Sequence, residues 1–152
     1  MTIRLGLPLI ALAAVLSWGC DGGTSGQVAA PRLEDLDGAF EYRAFDAYGQ
    51  LLLVGSVTLE VRGDSSITGT WEIGWAPGAD RTTVVGPQVG TGTLAGSVGA
   101  EHTWLDLNPG WADNNVFLLA STADHGALAG QWQHSTFIGP VAEGRFELRP
   151  PA

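Results

Sequence analysis

Regular alternation of apolar and polar residues begins near Gly38 and continues almost to the end of the chain. In residues 50–62 the odd-numbered positions are mostly large and apolar, whereas the even-numbered ones from Ser56 to Arg62 are polar. Successive side chains of a β-strand point to opposite faces, so this pattern predicts a strand with one buried face. The residues expected on that face are Leu51, Leu53, Val57, Leu59 and Val61.

Similar segments recur between turn-forming residues and predict eight strands. Their predicted ranges are 39–46 (β1), 50–62 (β2), 65–76 (β3), 88–98 (β4), 101–107 (β5), 115–122 (β6), 127–137 (β7) and 141–148 (β8). Only in β5 do two faces compete, with Leu105 and Leu107 against Trp104. Most of the loops are short, which indicates a meander, and closing a meander into a barrel removes its exposed edges. We therefore predict an all-β fold, an eight-stranded antiparallel up-and-down barrel, whose interior is either filled or holds one small ligand.

One short pattern occurs three times, as ITGTW (67–71), LAGSV (94–98) and LAGQW (128–132). Each copy has a glycine between two large apolar residues on the same face of a strand. We expect Gly69, Gly96 and Gly130 to face inward, each beneath a bulky neighbour, because glycine makes room where strands coil in a small barrel. The copies resemble strands of streptavidin-type barrels and of the wider calycin group. That resemblance implies the barrel but no ligand, since Glu72 and Ile73 follow the first copy where that family has polar biotin-binding groups.

Loop lengths predict where a binding site lies. The loops at 77–87 and 108–114 are long, whereas those after β2, β4 and β6 are tight. Successive hairpins of a meander lie at alternate ends, so both long loops share one end with Tyr48 and residues 137–140. Binding residues concentrate on long loops of a rigid scaffold. The predicted ligand-binding residues are Tyr48, Trp75, Arg81, Trp111 and Asn114, and Trp111 serves either as a ligand contact or as a plug that closes the barrel.

The same strand count predicts the orientation of the barrel. The chain enters β1 at the end with the tight turns, and β8, antiparallel to β1, finishes there. Gly38 and Leu148 are therefore expected at the end opposite Trp111.

Composition and motifs argue against several functions. Seven Arg and no Lys oppose sixteen Asp and Glu, for a net charge of −9, which disfavours nucleic acid and an anionic membrane surface as partners. His102, His125 and His134 lack a metal-ligand spacing, and Ser135 and His134, as neighbours in a strand, point to opposite faces. The chain contains no Gly-x-Ser-x-Gly elbow. We therefore expect no catalytic residue, no metal, no cofactor and no enzymatic activity.

The first twenty residues have the features of a targeting segment. Arg4 precedes an apolar run from Leu5 to Leu16, too short for an ordinary membrane span, and the run leads to Gly19-Cys20. This resembles the lipobox of bacterial lipoproteins. The resemblance implies that the chain is cleaved before Cys20, the only cysteine, and that Cys20 is acylated, with palmitate among its acyl chains. Ser17 stands where that family usually has Leu or Val. An ordinary secretory signal, cleaved at the same bond to leave a free cysteine, is the alternative.

Together these patterns predict a signal peptide (1–19), a lipidated Cys20 with a flexible tether (20–37) and a barrel (38–149). Removing Arg4 with the signal peptide leaves six Arg against sixteen acidic residues, a net charge of −10. The expected function is non-enzymatic binding of a small, partly apolar ligand at the long-loop end by a protein held in the bacterial cell envelope. The alternatives are a protein-interaction module, such as an inhibitor of a hydrolase, and a purely structural lipoprotein.

Overall fold

The barrel predicted from the alternation is present. A computed structural model describes residues 33–122 and 126–152, and in it eight strands form one closed barrel in the order β1 to β8. The strands are Gly38–Phe45 (β1), Leu51–Val61 (β2), Ser66–Trp75 (β3), Gly90–Val98 (β4), His102–Asp106 (β5), Asn115–Thr122 (β6), Leu128–Thr136 (β7) and Gly139–Arg149 (β8). Every neighbouring pair is antiparallel, including β1 with β8, so the prediction of an up-and-down barrel is confirmed.

Large side chains fill the interior of the barrel. The inward residues of the strands form one buried apolar cluster, and the largest of its completely buried members are Trp132, Tyr42 and Phe146. The competition within β5 is resolved in favour of Leu105, which is buried, while Trp104 lies on the outer wall and is 41% exposed. Eight strands allow an interior that is filled by side chains or one that holds a small ligand, and in this barrel side chains fill it.

A β-bulge corrects one predicted face. Ala44 pairs with Leu53 and Phe45 pairs with Leu51, so Leu52 has no partner in β1. A bulge of this kind turns two consecutive side chains toward the same side. Leu52 and Leu53 are consequently both buried, and Leu51, which was predicted to be in the core, is only half-buried.

The three repeated glycines are required because the backbone of the neighbouring strand lies too close for a Cβ atom. The prediction that a bulky side chain covers each glycine is wrong, since the nearest obstacle at each position is a backbone carbonyl. A Cβ atom at Gly69 or Gly130 would collide with the carbonyl oxygen of Thr58 or Leu119, respectively. At Gly96 it would meet the carbonyl of Trp104, and only there does a side chain, that of Leu105, also come close. Strong coiling brings the strands so near that no Cβ fits between them.

The tryptophans of two repeats cross the neighbouring strand in the same way. The Trp71 ring of β3 lies over Gly92 of β4, and its Nε1 donates to the carbonyl of Leu107 at 2.8 Å. The Trp132 ring of β7 lies against Gly144 of β8, and its Nε1 donates to the carbonyl of Phe45 at 3.0 Å. Each indole thus crosses a neighbouring strand to reach a main-chain carbonyl on its far side, and each crossing needs a glycine below the ring.

Strand pairing confirms the predicted orientation. Gly38 pairs with Leu59 near the β2–β3 turn, and Leu148 pairs with Leu128 at the start of β7. These residues lie at the end of the barrel with the turns 62–65 and 99–101, which we call the tight-turn end. The segments 46–50, 76–89, 107–114 and 137–138 lie at the other end, the long-loop end, and Trp111 is in the third of them.

A short 3-10 helix, Leu33–Leu36, packs on the tight-turn end. Leu36 is fully buried, and the Asp37 carboxylate accepts a hydrogen bond from the backbone N–H of Val61 at 2.9 Å. The packed unit therefore begins a few residues before Gly38. The predicted signal peptide, Cys20 and the tether as far as residue 32 lie outside the described residues. Within the described ranges, no helix combines the length and the apolar character that crossing a membrane requires.

Candidate functional site

The first long loop, residues 76–89, closes the long-loop end of the barrel. Val85 and Gln88 are buried there against the interior. The Tyr42 hydroxyl donates to Gln88 Oε1 at 2.6 Å, and Gln88 Nε2 donates to the carbonyl of Val85 at 2.6 Å. Burial raises the pKa of the Tyr42 phenol far above its usual value, so the hydroxyl keeps its proton and stays a donor. The plug is therefore this loop, and Trp111, 58% exposed, does not close the barrel.

The second long loop, residues 107–114, is held by a buried polar cluster at its base. The Asp106 carboxylate accepts hydrogen bonds from the backbone N–H of Asn108, at 2.8 Å, and from Nδ2 of Asn115, at 3.0 Å. Asn115 Nδ2 also donates to the backbone carbonyl of Asn108. All three side chains are nearly inaccessible to solvent. A loop bound in this way is preorganised, which lowers the entropy lost when it binds a partner.

The far end of the same loop is bound to β7 and to the turn that follows it. The Asp113 carboxylate accepts from the backbone N–H of Phe137 at 2.7 Å, and Asn114 Oδ1 lies 2.5 Å from Nε2 of His134. Asn114 has a positive φ of 66°, which asparagine tolerates better than most residues. Burial lowers the pKa of His134, an effect that the nearby Asp113 charge opposes. The imidazole is therefore a neutral structural group at pH 7.

A cleft separates the second long loop from β4. The strand β5 is short, so β4 pairs with it only from Ala95 to Val98, and the first part of β4 faces the loop across a gap. The Trp71 indole, bonded to Leu107, lies at the bottom of this gap. The cleft has a volume of about 490 Å³, and we call it the long-loop cleft. Its lining consists of Trp71, Pro87, Val89, Thr91, Gly92, Thr93, Leu107, Asn108, Pro109, Gly110 and Trp111.

The lining of the long-loop cleft is uncharged, although the whole chain has a net charge of −9. Two tryptophans, two prolines, Val89 and Leu107 supply apolar surface, and two threonines and an asparagine supply polar groups. Apolar walls with a few polar groups are typical of binding sites for organic ligands. The lining contains no acid–base pair.

The five predicted site residues all lie at the long-loop end, but only Trp111 lines the cleft. Tyr48 is 97% exposed in the β1–β2 turn, and Arg81 is exposed in the first long loop. Trp75 is half-buried at the end of β3, and Asn114 is engaged with His134. The repeat at residues 67–71 predicts Trp71 on the same inward face as Gly69, and no pattern in the sequence assigns a role to Thr91, Thr93 or Asn108. The signal for them was the length of β5, which is too short to cover all of β4.

A second depression, of about 500 Å³, lies on the outer wall of the barrel. It differs from the long-loop cleft in having charged groups, Arg145 and Glu147, in its lining. Its apolar side chains include Phe45, which the Arg145 guanidinium covers at 5.9 Å, and Leu119. Nearby on the same wall, Trp104 stacks on Phe117 with ring centroids 5.9 Å apart. These side chains are engaged with one another, whereas Trp111 projects from its loop.

Among residues 33–122 and 126–152, no three His, Cys, Asp or Glu side chains come together as metal ligands would. The fold defines the chain as a closed eight-stranded up-and-down barrel, an architecture compatible with calycin-like proteins. No protein-family model matches the sequence, and no curated protein matches it significantly.

Proposed function

We propose that this protein is a lipid-anchored, non-enzymatic binding module of the bacterial cell envelope that holds a small, partly apolar ligand in the long-loop cleft. One observation carries the binding site: an exposed Trp111 projects beside an uncharged cleft whose floor is a second tryptophan, Trp71. The anchor is inferred from the apolar run that leads to Gly19-Cys20.

The dimensions of the long-loop cleft support a small ligand. Pockets for organic molecules typically range from about 300 to 1,000 Å³, and this cleft has about 490 Å³. The barrel interior is filled by side chains and closed by Val85 and Gln88, so the surface cleft is the better candidate for the binding site. The two walls are fixed by the Tyr42–Gln88 and Asp106–Asn115 hydrogen bonds, so little ordering is required on binding.

A protein-interaction module is the second candidate, and the exposed loop tips favour it. Tyr48, Phe137 and Ile138 are 97%, 80% and 92% exposed, and all three project at the long-loop end. Exposed aromatic and aliphatic residues at one end of a rigid fold are characteristic of protein contacts. A tether attached at the opposite, tight-turn end would leave these residues facing away from the membrane, as an inhibitor of an envelope hydrolase requires.

Native mass spectrometry of the full chain from its own host tests the binding site. We expect a small-molecule adduct on the wild-type protein that is lost in Trp111→Ala, because the indole supplies the exposed apolar wall of the cleft. Trp104→Ala is the matched control, since it removes another partly exposed tryptophan from the outer wall. An adduct that persists in Trp111→Ala, or that Trp104→Ala removes equally, contradicts this site.

A further inference from the structure

The first part of β4 forms a free sheet edge inside the long-loop cleft. Residues 90–94 pair with β3 on one side, but pairing with β5 begins only at Ala95. Among the described residues, no backbone hydrogen bond joins this part of β4 to the second long loop. An unpaired edge presents a row of N–H and C=O groups that can bind another strand.

The direction of the backbone groups along β4 follows from its hydrogen bonds. The N–H of Val98 donates to Ser65, next to β3, at 2.9 Å. Directions alternate along a strand, so Ser97, Ala95, Thr93 and Thr91 point to the opposite side, toward β5 and the gap. Consistent with this assignment, the carbonyl of Thr93 receives a long contact of 3.3 Å from Trp71 Nε1. Thr91 and Thr93 therefore direct main-chain groups into the long-loop cleft.

The opposite wall of the cleft contains a polar side chain without a partner. Asn108 is 9% exposed, and its Oδ1 accepts no hydrogen bond from any described residue. A buried amide oxygen left in this state is unfavourable, and most such atoms are satisfied. Asn108, which lines the cleft, thus places an unsatisfied amide oxygen in the wall opposite β4.

We propose that the long-loop cleft binds a neutral, extended polypeptide segment, which adds to the free edge of β4 as a strand through main-chain hydrogen bonds to Thr91 and Thr93. The inference rests on the proposed function, because it assigns a ligand class to the same cleft. The five residues 90–94 span roughly 17 Å at about 3.3 Å per residue, enough to pair with a short segment. The segment is neutral because the lining has no charge, and Trp111 packs against its side chains.

The test uses the full chain in detergent and the peptide acetyl-Thr-Val-Thr-Val-Thr-amide as the probe. We expect saturating peptide to slow hydrogen exchange at the Thr91 and Thr93 amides by about tenfold or more, because pairing protects them from solvent. The same peptide N-methylated at every residue and ending in a dimethylamide lacks main-chain donors and is the matched control. Equal binding of the methylated peptide, or unchanged exchange at both amides, overturns the proposal.

A pair of substitutions tests the edge from the protein side. Thr93→Pro removes an N–H that faces the cleft, a position where a strand tolerates proline, and we expect the Kd for the peptide to rise about fivefold. Thr93→Ala keeps the N–H and removes only the hydroxyl group, so it is expected to weaken binding less than Thr93→Pro does. Equal weakening by both variants contradicts main-chain pairing. If Thr93→Pro does not fold, as judged by its melting transition, the methylated peptide decides.

The remaining outcomes separate this inference from the proposed function. If the peptide does not bind but the native adduct still depends on Trp111, the cleft holds a different ligand, and only the strand-addition proposal fails. Failure of both experiments overturns both proposals. A dimer that light scattering detects in wild type but not in Thr93→Pro shows that a second copy pairs with this edge, and it overturns the proposal of a separate peptide.

Discussion

Individual glycines in this barrel mark places where another strand approaches too closely for a Cβ atom. At Gly69 the obstacle is the backbone carbonyl of Thr58, and at Gly144 it is the carbonyl of Phe45 together with the Trp132 ring. A backbone obstacle differs from a side-chain one because it cannot rotate away. Substitution at these positions therefore shifts strands apart and strains the hydrogen-bonded ladder.

Gly69→Ala should lower the stability of the protein by about 1–3 kcal/mol, the usual range for overpacking a tight site. The added methyl group would meet the Thr58 carbonyl, which is fixed by strand pairing. Chemical denaturation of the variant and wild type measures the difference. Gly63→Ala is the control, because its Cβ meets nothing within 4 Å. Equal stabilities for wild type and Gly69→Ala would show that the strands can separate freely.

His134 should make the stability of the protein depend on pH. Burial lowers the pKa of His134 in the folded state, so the unfolded chain binds a proton more readily. The neutral imidazole of His134 makes its full contribution to the free energy of unfolding at pH values above the ordinary histidine pKa, about 6.5. That contribution declines as the pH falls below this value.

We therefore expect the melting temperature to fall between pH 7.5 and 5, and to fall less in His134→Gln than in wild type. His102→Gln is the control, since His102 is exposed on the outer wall. A pH dependence that is the same in wild type and His134→Gln would exclude the imidazole as its source.

At the scale of elements, the same tryptophan–glycine arrangement occurs at two seams of the barrel, where β3 meets β4 and where β7 meets β8. In each, a tryptophan reaches across a glycine of the next strand to a carbonyl beyond it, from Trp71 to Leu107 and from Trp132 to Phe45. The two seams continue differently. Near Phe45 the chain turns back within residues 46–50, whereas after Leu107 a longer loop stands away from β4. The long-loop cleft exists because a long loop follows the shortest strand.

The plug formed by the first long loop depends on the hydrogen bond between Tyr42 and Gln88. Gln88→Leu should destabilise the protein by about 1–3 kcal/mol, because it leaves the buried Tyr42 hydroxyl without an acceptor. Adding Tyr42→Phe to that variant should restore part of the loss, since no buried hydroxyl is then left unpaired and only the Val85 carbonyl lacks its donor. Thermal unfolding of the two single variants and the double variant gives the coupling energy. Additive losses would show that the two side chains act independently.

At the scale of the whole molecule, the barrel puts the entry of the chain and the long-loop cleft at opposite ends. The chain enters at the tight-turn end, where Leu36 is buried, and Trp111 lies at the opposite end. If Cys20 is the membrane anchor, as proposed, attachment at the tight-turn end would bias the long-loop end away from the membrane without locking the barrel in one orientation. Such an orientation would suit the binding or inhibitor function proposed above.

Cys20→Ser tests the anchor. We expect the substitution to release the protein from the membrane fraction or to block its processing, because the serine hydroxyl cannot take the place of the acylated thiol. Membrane fractionation with immunoblotting of both forms is the measurement. A variant that is processed and sediments with membranes as the wild type does would contradict the lipoprotein hypothesis and favour another mode of attachment.

The sequence by itself determined the strand number, the strand boundaries to within about two residues, the barrel topology and the end at which the long loops meet. Those features follow from the two-residue period of buried side chains and from loop length, both of which are local properties. Only the tertiary structure decided that Leu52 enters the core at a bulge, that Val85 and Gln88 close the barrel and that Trp71 spans β4. It also decided that Trp111, Asn108 and the edge of β4 line one cleft. These outcomes depend on how strands coil and on which seam stays open, and no local pattern in the chain encodes such distances between elements.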